Sequence, residues 1–225
     1  MKKKIEKTFY GIVGLGKFGM ALVEELAKSG RDVLVVDWNE EKIREARELT
    51  ENALVADALN KKALEETGIG DCDIAVVCMG HQLENSLLAT LNLLSMGVTR
   101  VIAKSSGPAH SEILKRLGAE VIEPERDMAV RLATRLEALN LLDYIELSDN
   151  IIISKLLVPK KCLGKTLRES GLRANFHINV IAVERDGTVE ERLSPDYTFE
   201  KGDVLVVSTS KQGILDFSAW AGSEK

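Results

Sequence analysis

Gly14-Leu15-Gly16-Lys17-Phe18-Gly19 carries three glycines at the spacing GxGxxG. An apolar run, Phe9–Val13, precedes it, and a pattern of helical period follows. Glycine at the first position permits a tight turn, at the second lets backbone approach a phosphate, and at the third allows close helix–strand packing. The start of the following helix adds N–H donors and roughly half a positive charge. Asp37 closes a second apolar run, Val33–Asp37, 18 residues after Gly19. A carboxylate there accepts from ribose 2′- and 3′-hydroxyls and repels a 2′-phosphate. The chemistry expected is reversible binding of an adenosine nucleotide, with NADPH disfavoured.

Other residues are placed to complete or refuse that chemistry. Asp57-Ala58 follows a third strand and can border the adenine. Cys78-Met79-Gly80 ends a fourth, at the edge where such sheets hold ligands. Lys17, inside the glycine loop, and Lys104, ending a fifth strand, each read either as a phosphate contact or as a solvated lysine. Glu125, Arg126 and Asp127, just beyond a sixth strand, read from spacing alone as charged decoration of a helix start. The histidines, His81, His110 and His177, stand in no HExxH or Ser/His/Asp-like setting. His81 borders the crevice by position, where a loop histidine reads as a surface residue or cap. Hydride transfer needs a proton donor and a substrate pocket, and residues 141–225 offer neither. The residues predict a nucleotide-binding module and not an enzyme. A small NAD-dependent oxidoreductase and an NADH-binding redox sensor are the alternatives.

Positioning these residues requires a particular order of elements. Strands are expected at Phe9–Val13, Val33–Asp37, Ala53–Ala56, Ile74–Cys78, Val98–Ala103 and Glu120–Ile122, with helical stretches between them and Gly30, Gly68, Gly70, Gly97 and Gly118 as helix stops. That alternation predicts an α/β fold, a Rossmann-like doubly wound parallel sheet over residues 1–125. A connecting helix is expected within 126–143, with Met128, Leu132, Leu136 and Leu139 on one stripe. A small α+β domain is expected over 144–225. In it, strands are expected at 151–158, 180–184, 188–193 and 204–208, with a short helix at 164–171, a hairpin turn at Asp186-Gly187 and a last helix ending near Trp220.

Length and charge narrow the function. The chain has 225 residues, too few for a full cofactor domain beside a full substrate domain. Its net charge of -5 argues against nucleic acid as a partner. Cys72, Cys78 and Cys162 show no metal-ligand spacing and read as reduced thiols in the cytoplasm. Met1-Lys2-Lys3-Lys4 is followed by no apolar signal segment, and the longest apolar run, 74–79, is far short of a membrane span.

Together, Gly14–Gly19, Asp37, Asp57-Ala58, Lys104 and above all Pro124-Glu125-Arg126-Asp127-Met128 resemble the RCK (KTN) regulatory subunits of bacterial potassium transport systems, of the KtrA type and related to TrkA. Leu163-Gly164-Lys165-Thr166-Leu167, Leu172-Arg173, 180–187 and Gly202-Asp203-Val204-Leu205 are similar to the C-terminal domain of that family. The resemblance spans about residues 9–217. It implies a cytoplasmic subunit, peripheral at the inner face of the membrane. Dimers would assemble into an octameric ring beneath a membrane-embedded KtrB- or TrkH-like transporter. It implies ATP or ADP in the crevice, each favouring a different ring shape, with NAD(H) as a further ligand. Asp37 would hold the ribose, the Gly14–Gly19 backbone and Lys104 the phosphates, and Glu125 a Mg²⁺ or Ca²⁺ ion bridging two nucleotides. Lys17 departs from the arginine usual in KtrA-type loops; it keeps the charge and loses the planar fork. The resemblance also implies cyclic di-AMP as a ligand of the C-terminal domain, where Arg173 and Asn175 lie in the matching region.

Overall fold

The computed structural model describes residues 8–80, 82–138, 140–148 and 150–223. His81, Leu139 and the opening residues Met1–Lys7 fall outside the described residues. The chain divides into two compact units, Met1–Pro124 and Glu125–Lys225.

In the first unit strands and helices alternate: β1 (Phe9–Val13), α1 (Lys17–Lys28), β2 (Asp32–Asp37), α2 (Glu40–Ala46), β3 (Ala53–Val55), α3 (Lys61–Glu65), β4 (Ile74–Val77), α4 (Leu83–Ser95), β5 (Arg100–Lys104), α5 (Pro108–Leu117) and β6 (Glu120–Ile122). The strands pair in parallel in the order β3-β2-β1-β4-β5-β6. Because side chains alternate along a strand, both faces must be covered. Val33, Val35, Ile12 and Val76 pack with Val23 of α1 and Ile43 of α2. Leu34, Val36, Ala75 and Val77 pack instead with Leu93 of α4 and Leu114 of α5. The helices change face between β1 and β4, and that switch opens the crevice at the carboxyl ends of these strands.

Local chemistry fixes where the elements stop. Asn39 and Asn60 cap α2 and α3, each side chain accepting from two main-chain N–H groups. Pro108 opens α5 and Gly118 closes it in the left-handed region. Gly70, expected as a helix stop, lies instead inside a 3-10 turn, Ile69–Asp71, because Gly68 has already taken the left-handed position.

The second unit begins along α6 (Pro124–Glu137), which runs two residues earlier than the expected connector and gives way to strand β7 (Leu141–Ser148). Arg131 pairs with Asp143 and the Tyr144 hydroxyl donates to Thr134 Oγ1 at 3.2 Å, fastening α6 to β7. Then follow β8 (Ile151–Leu157), α7 (Leu172–Phe176), β9 (Asn179–Arg185), β10 (Thr188–Glu190), β11 (Val204–Thr209) and α8 (Lys211–Gly222). The sheet is antiparallel, in the order β10-β9-β11-β8-β7. Asp186 and Gly187 both take positive φ, as a two-residue hairpin turn requires. The helix expected at 164–171 is a series of turns, tied by a bridge between Thr166 and Thr198, and helix appears only at α7. Glycine at both ends of that segment, Gly164 and Gly171, takes left-handed φ and interrupts helical propagation. The core of this unit gathers Leu156, Leu205, Val207, Phe199 and Phe217.

Candidate functional site

The glycine loop is held by main-chain bonds to the neighbouring strands. Gly14, at φ +94°, donates its N–H to Val36 O at 2.8 Å, and Cys78 N–H donates to Val13 O at 2.7 Å. A methyl group at Gly19 would stand 2.1 Å from Gly14 O, so α1 can approach β1 only with glycine there. Gly16 is the N-cap of α1 and supplies no side-chain acceptor, and the first turn of α1 contains no acidic residue. The N-terminal partial positive charge of α1 is therefore uncompensated within that turn.

Asp37 ends β2 with its side chain buried, 6% exposed. Its Oδ2 accepts from Leu15 N–H at 2.5 Å and its Oδ1 from Asn39 N–H at 2.8 Å. A single carboxylate thus orients the glycine loop and the start of the α2 turn. Each oxygen keeps a second lone pair for a hydroxyl. Sequence spacing anticipated an acid at this point; its bond to the loop is a tertiary fact.

Lys104 reaches over the loop from β5. Its Nζ lies 6.0 Å from the centroid of the Phe18 ring, and a methyl added at Gly80 would come within 3.4 Å of it. Phe18, Gly80 and Lys104 are therefore brought together, whereas Lys17 is exposed. Asp57 is also exposed, its Oδ1 accepting from Leu59 N–H at 3.0 Å. Ala58 is buried, and the Asn92 amide of α4 donates to the carbonyls of Ala58 and Leu59 at 3.0 and 3.3 Å. The sequence reading missed Asn92, whose signal was an amide set in the apolar pattern of α4. Glu125 is exposed in the first turn of α6 and belongs to the second unit. Among the described residues, no three His, Cys, Asp or Glu side chains group to hold a metal ion.

The side chains that could act on a substrate are constrained. Burial pushes the Cys78 thiol, beside the end of β4, up to about 12, which keeps it protonated and weakly nucleophilic at neutral pH. His110 is buried, and its Nδ1 accepts from Ser106 N–H at 3.1 Å; burial lowers its pKa and favours the neutral ring. It therefore braces the start of α5. Arg173 and Asn175 both lie on α7, and Asn175 packs over Gly171, where a methyl would stand 2.6 Å from Nδ2.

The second unit holds its own charged cluster, which the sequence reading did not single out. Asp203 is fully buried, and Arg185 donates to both of its oxygens, at 2.6 and 2.9 Å. Arg185 also pairs with Glu200 at 2.9 Å and lies over the Tyr197 ring. Burial alone would push the Asp203 carboxyl up. Its hydrogen bonds from Arg185, Glu200 N–H and Tyr197 hold it below the usual range instead.

A family model described as the TrkA-N domain matches residues 10–124, and one described as the TrkA-C domain matches residues 151–222. The Ktr system potassium uptake protein A of Bacillus subtilis (strain 168) is 31% identical, over 95% of this chain and 97% of its own length. The Ktr system potassium uptake protein C of the same organism is 30% identical, over 94% of this chain and 96% of its own. The fold is also similar to the solved GsuK channel (TM-score 0.66, 19% identity), of which the chain spans 41% while 99% of the chain is covered. No helix among the described residues is long and apolar enough to cross a membrane. The chain belongs to the family of Ktr-type potassium uptake proteins that join a TrkA-N to a TrkA-C domain.

Proposed function

We propose that this chain is a nucleotide-sensing gating subunit of a potassium uptake system, binding ATP or ADP in the crevice of its first unit and acting on a separate membrane transporter. The carrying observation is the buried Asp37 carboxylate, fixed to the glycine loop by Leu15 N–H beside an uncapped helix start. It offers acceptors for a ribose within reach of donors for phosphates. Lys104 adds a cation at the same edge. NAD(H) is a second ligand of the same crevice: a GsuK channel structure of similar fold (TM-score 0.62, 19% identity) is described as bound to NAD.

Regulation without turnover agrees with the crevice chemistry, since burial keeps its cysteine protonated, and with the potassium uptake proteins to which the chain is similar. A ligand shifts a two-state assembly only through different affinities for the two states. A Mg²⁺ or Ca²⁺ ion on Glu125 would supply such a difference for the triphosphate. Met128, Leu132 and Leu136 are all exposed on α6, an apolar stripe that a second copy would cover in a dimer, from which a ring such as an octamer is assembled. The place of action is the cytoplasmic face of the membrane, through the transporter partner.

Isothermal titration calorimetry with ADP, ATP, NADH and NADPH tests the reading. ADP, ATP and NADH are expected to bind more tightly than NADPH, and Asp37→Ala to weaken binding by roughly one to two decades. A tighter NADPH complex, or an unchanged affinity in the variant, overturns the role of Asp37. Glu125→Gln is expected to abolish any divalent-ion enhancement of ATP binding while sparing ADP. Light scattering with each nucleotide, and with cyclic di-AMP as the ligand of the second unit, reports assembly.

A further inference from the structure

Trp38 is the least expected residue beside the crevice. It follows Asp37 directly and is 71% exposed, although burying an aromatic side chain of its size is strongly favoured. Its backbone is well fixed: Asn39 N–H donates back to Asp37 Oδ1 at 2.8 Å, across residue 38, and the Asn39 side chain caps α2. The backbone that carries the indole is therefore fixed, and the side chain itself is left largely uncovered.

The surroundings suit a flat ligand. Asp37 O accepts from Ala56 N–H at 3.1 Å, so β2 and β3 leave the sheet side by side, and Trp38 and Asp57 come at the ends of that pairing. The loop after β3 is stiff, with Asp57 capping Leu59 N–H and Asn92 gripping the carbonyls of Ala58 and Leu59. A base attached to a ribose on Asp37 projects only a few ångströms beyond it, within the span of the next side chain. Aromatic rings stack on any nucleobase, and more strongly on a purine.

We infer that Trp38 is the stacking platform for the adenine base, a specificity-determining residue that makes the crevice prefer purine nucleotides over pyrimidine ones. The inference rests on the nucleotide reading above and adds the element that recognises the base. The other face of the base would meet the stiff loop at Asp57–Leu59.

Titration of Trp38→Ala with ADP and UDP, against the unaltered chain, is the test. ADP is expected to bind the variant roughly ten- to a hundredfold more weakly, the usual worth of one stacked base, and Trp38→Phe to recover most of the loss. UDP is expected to lose less, so the preference for ADP shrinks, which general damage to the fold would not produce. The chain contains two tryptophans, Trp38 and Trp220. In a Trp220→Phe background, ADP is therefore expected to quench emission from Trp38 alone. ADP binding undiminished in Trp38→Ala, an equal loss for both nucleotides, or unchanged Trp38 emission overturns the stacking role and leaves the nucleotide reading standing. If the unaltered chain binds none of ADP, ATP and NADH, both fall together.

Discussion

Two buried aspartates, one in each unit, have opposite surroundings. Asp203 is enclosed with a cation, its two oxygens shared among Arg185, Tyr197 and Glu200 N–H. Asp37 is bonded to neutral main-chain donors, Leu15 N–H and Asn39 N–H. A carboxylate matched by a guanidinium has spent its charge on the fold. A carboxylate fixed by two N–H groups keeps its charge and half its lone pairs for something else. Asp203 is thus matched within its own unit, whereas Asp37 holds the loop through neutral N–H donors and keeps acceptor capacity over.

Glycine substitutions give the largest contrast. Gly19→Ala puts a methyl 2.1 Å from the main-chain oxygen of Gly14, which cannot move aside as a side chain could. It is expected to cost about 2–4 kcal/mol and to remove nucleotide binding, read by denaturant unfolding and calorimetry. Gly213→Ala meets Phe176 O at 2.8 Å and is expected to weaken the second unit while leaving nucleotide affinity intact. If Gly213→Ala also abolishes binding, the two units are not separable in this way.

The aspartates themselves come next. Asp203→Asn is expected to lower the melting temperature by about 5–10 °C, because it weakens the pairing of Arg185 inside the unit, with ADP affinity unchanged. Asp37→Asn is expected to cost ADP affinity as well as stability, since its amide nitrogen would face one of the two N–H donors that the carboxylate oxygens accept from. Equal behaviour of the two variants in differential scanning calorimetry and titration would erase the distinction.

Acid separates the units more gently. The folded Asp203 carboxyl titrates below its unfolded value of about 3.9. Its stabilisation is therefore present above that value and is lost as pH falls through the lower, folded one. His110 in the first unit is also depressed, by burial. The stability tied to its neutral ring is intact above about 6.5 and declines as pH falls below that. Thermal scans between pH 7 and 5 should therefore loosen the first unit before the second, and His110→Gln should remove that early loss. The smallest effect is expected from Gly80→Ala, whose methyl would sit 3.4 Å from Nζ at the far end of the Lys104 side chain. A change in ADP affinity beyond about threefold would mean that Lys104 is held more firmly than a lysine end usually is.

The parallel sheet was legible because its strands are buried on both faces and its helices repeat at helical period, as at Leu34–Val36 and along α4. The glycine loop and Asp37 were legible for a related reason: a tight turn and a close helix approach tolerate only certain residue types at fixed local spacing. The second unit was less so. Strand β7 lay hidden beside the connector, and 164–171 passed for a helix, since short antiparallel elements are fixed by partners far along the chain, such as Thr198 for Thr166.

The amino-acid sequence by itself therefore determined the order of elements in the first unit, the loop and the acid that closes β2, because each depends on neighbours within about twenty residues. Tertiary structure alone decided that Asp37 grips Leu15 N–H, that Asn92 stiffens the loop after β3, and that Arg185 neutralises Asp203. It also decided that Trp38 stays uncovered. Those facts depend on which groups meet across adjacent strands, loops and helices once the chain is folded, and spacing along the chain carries no record of that.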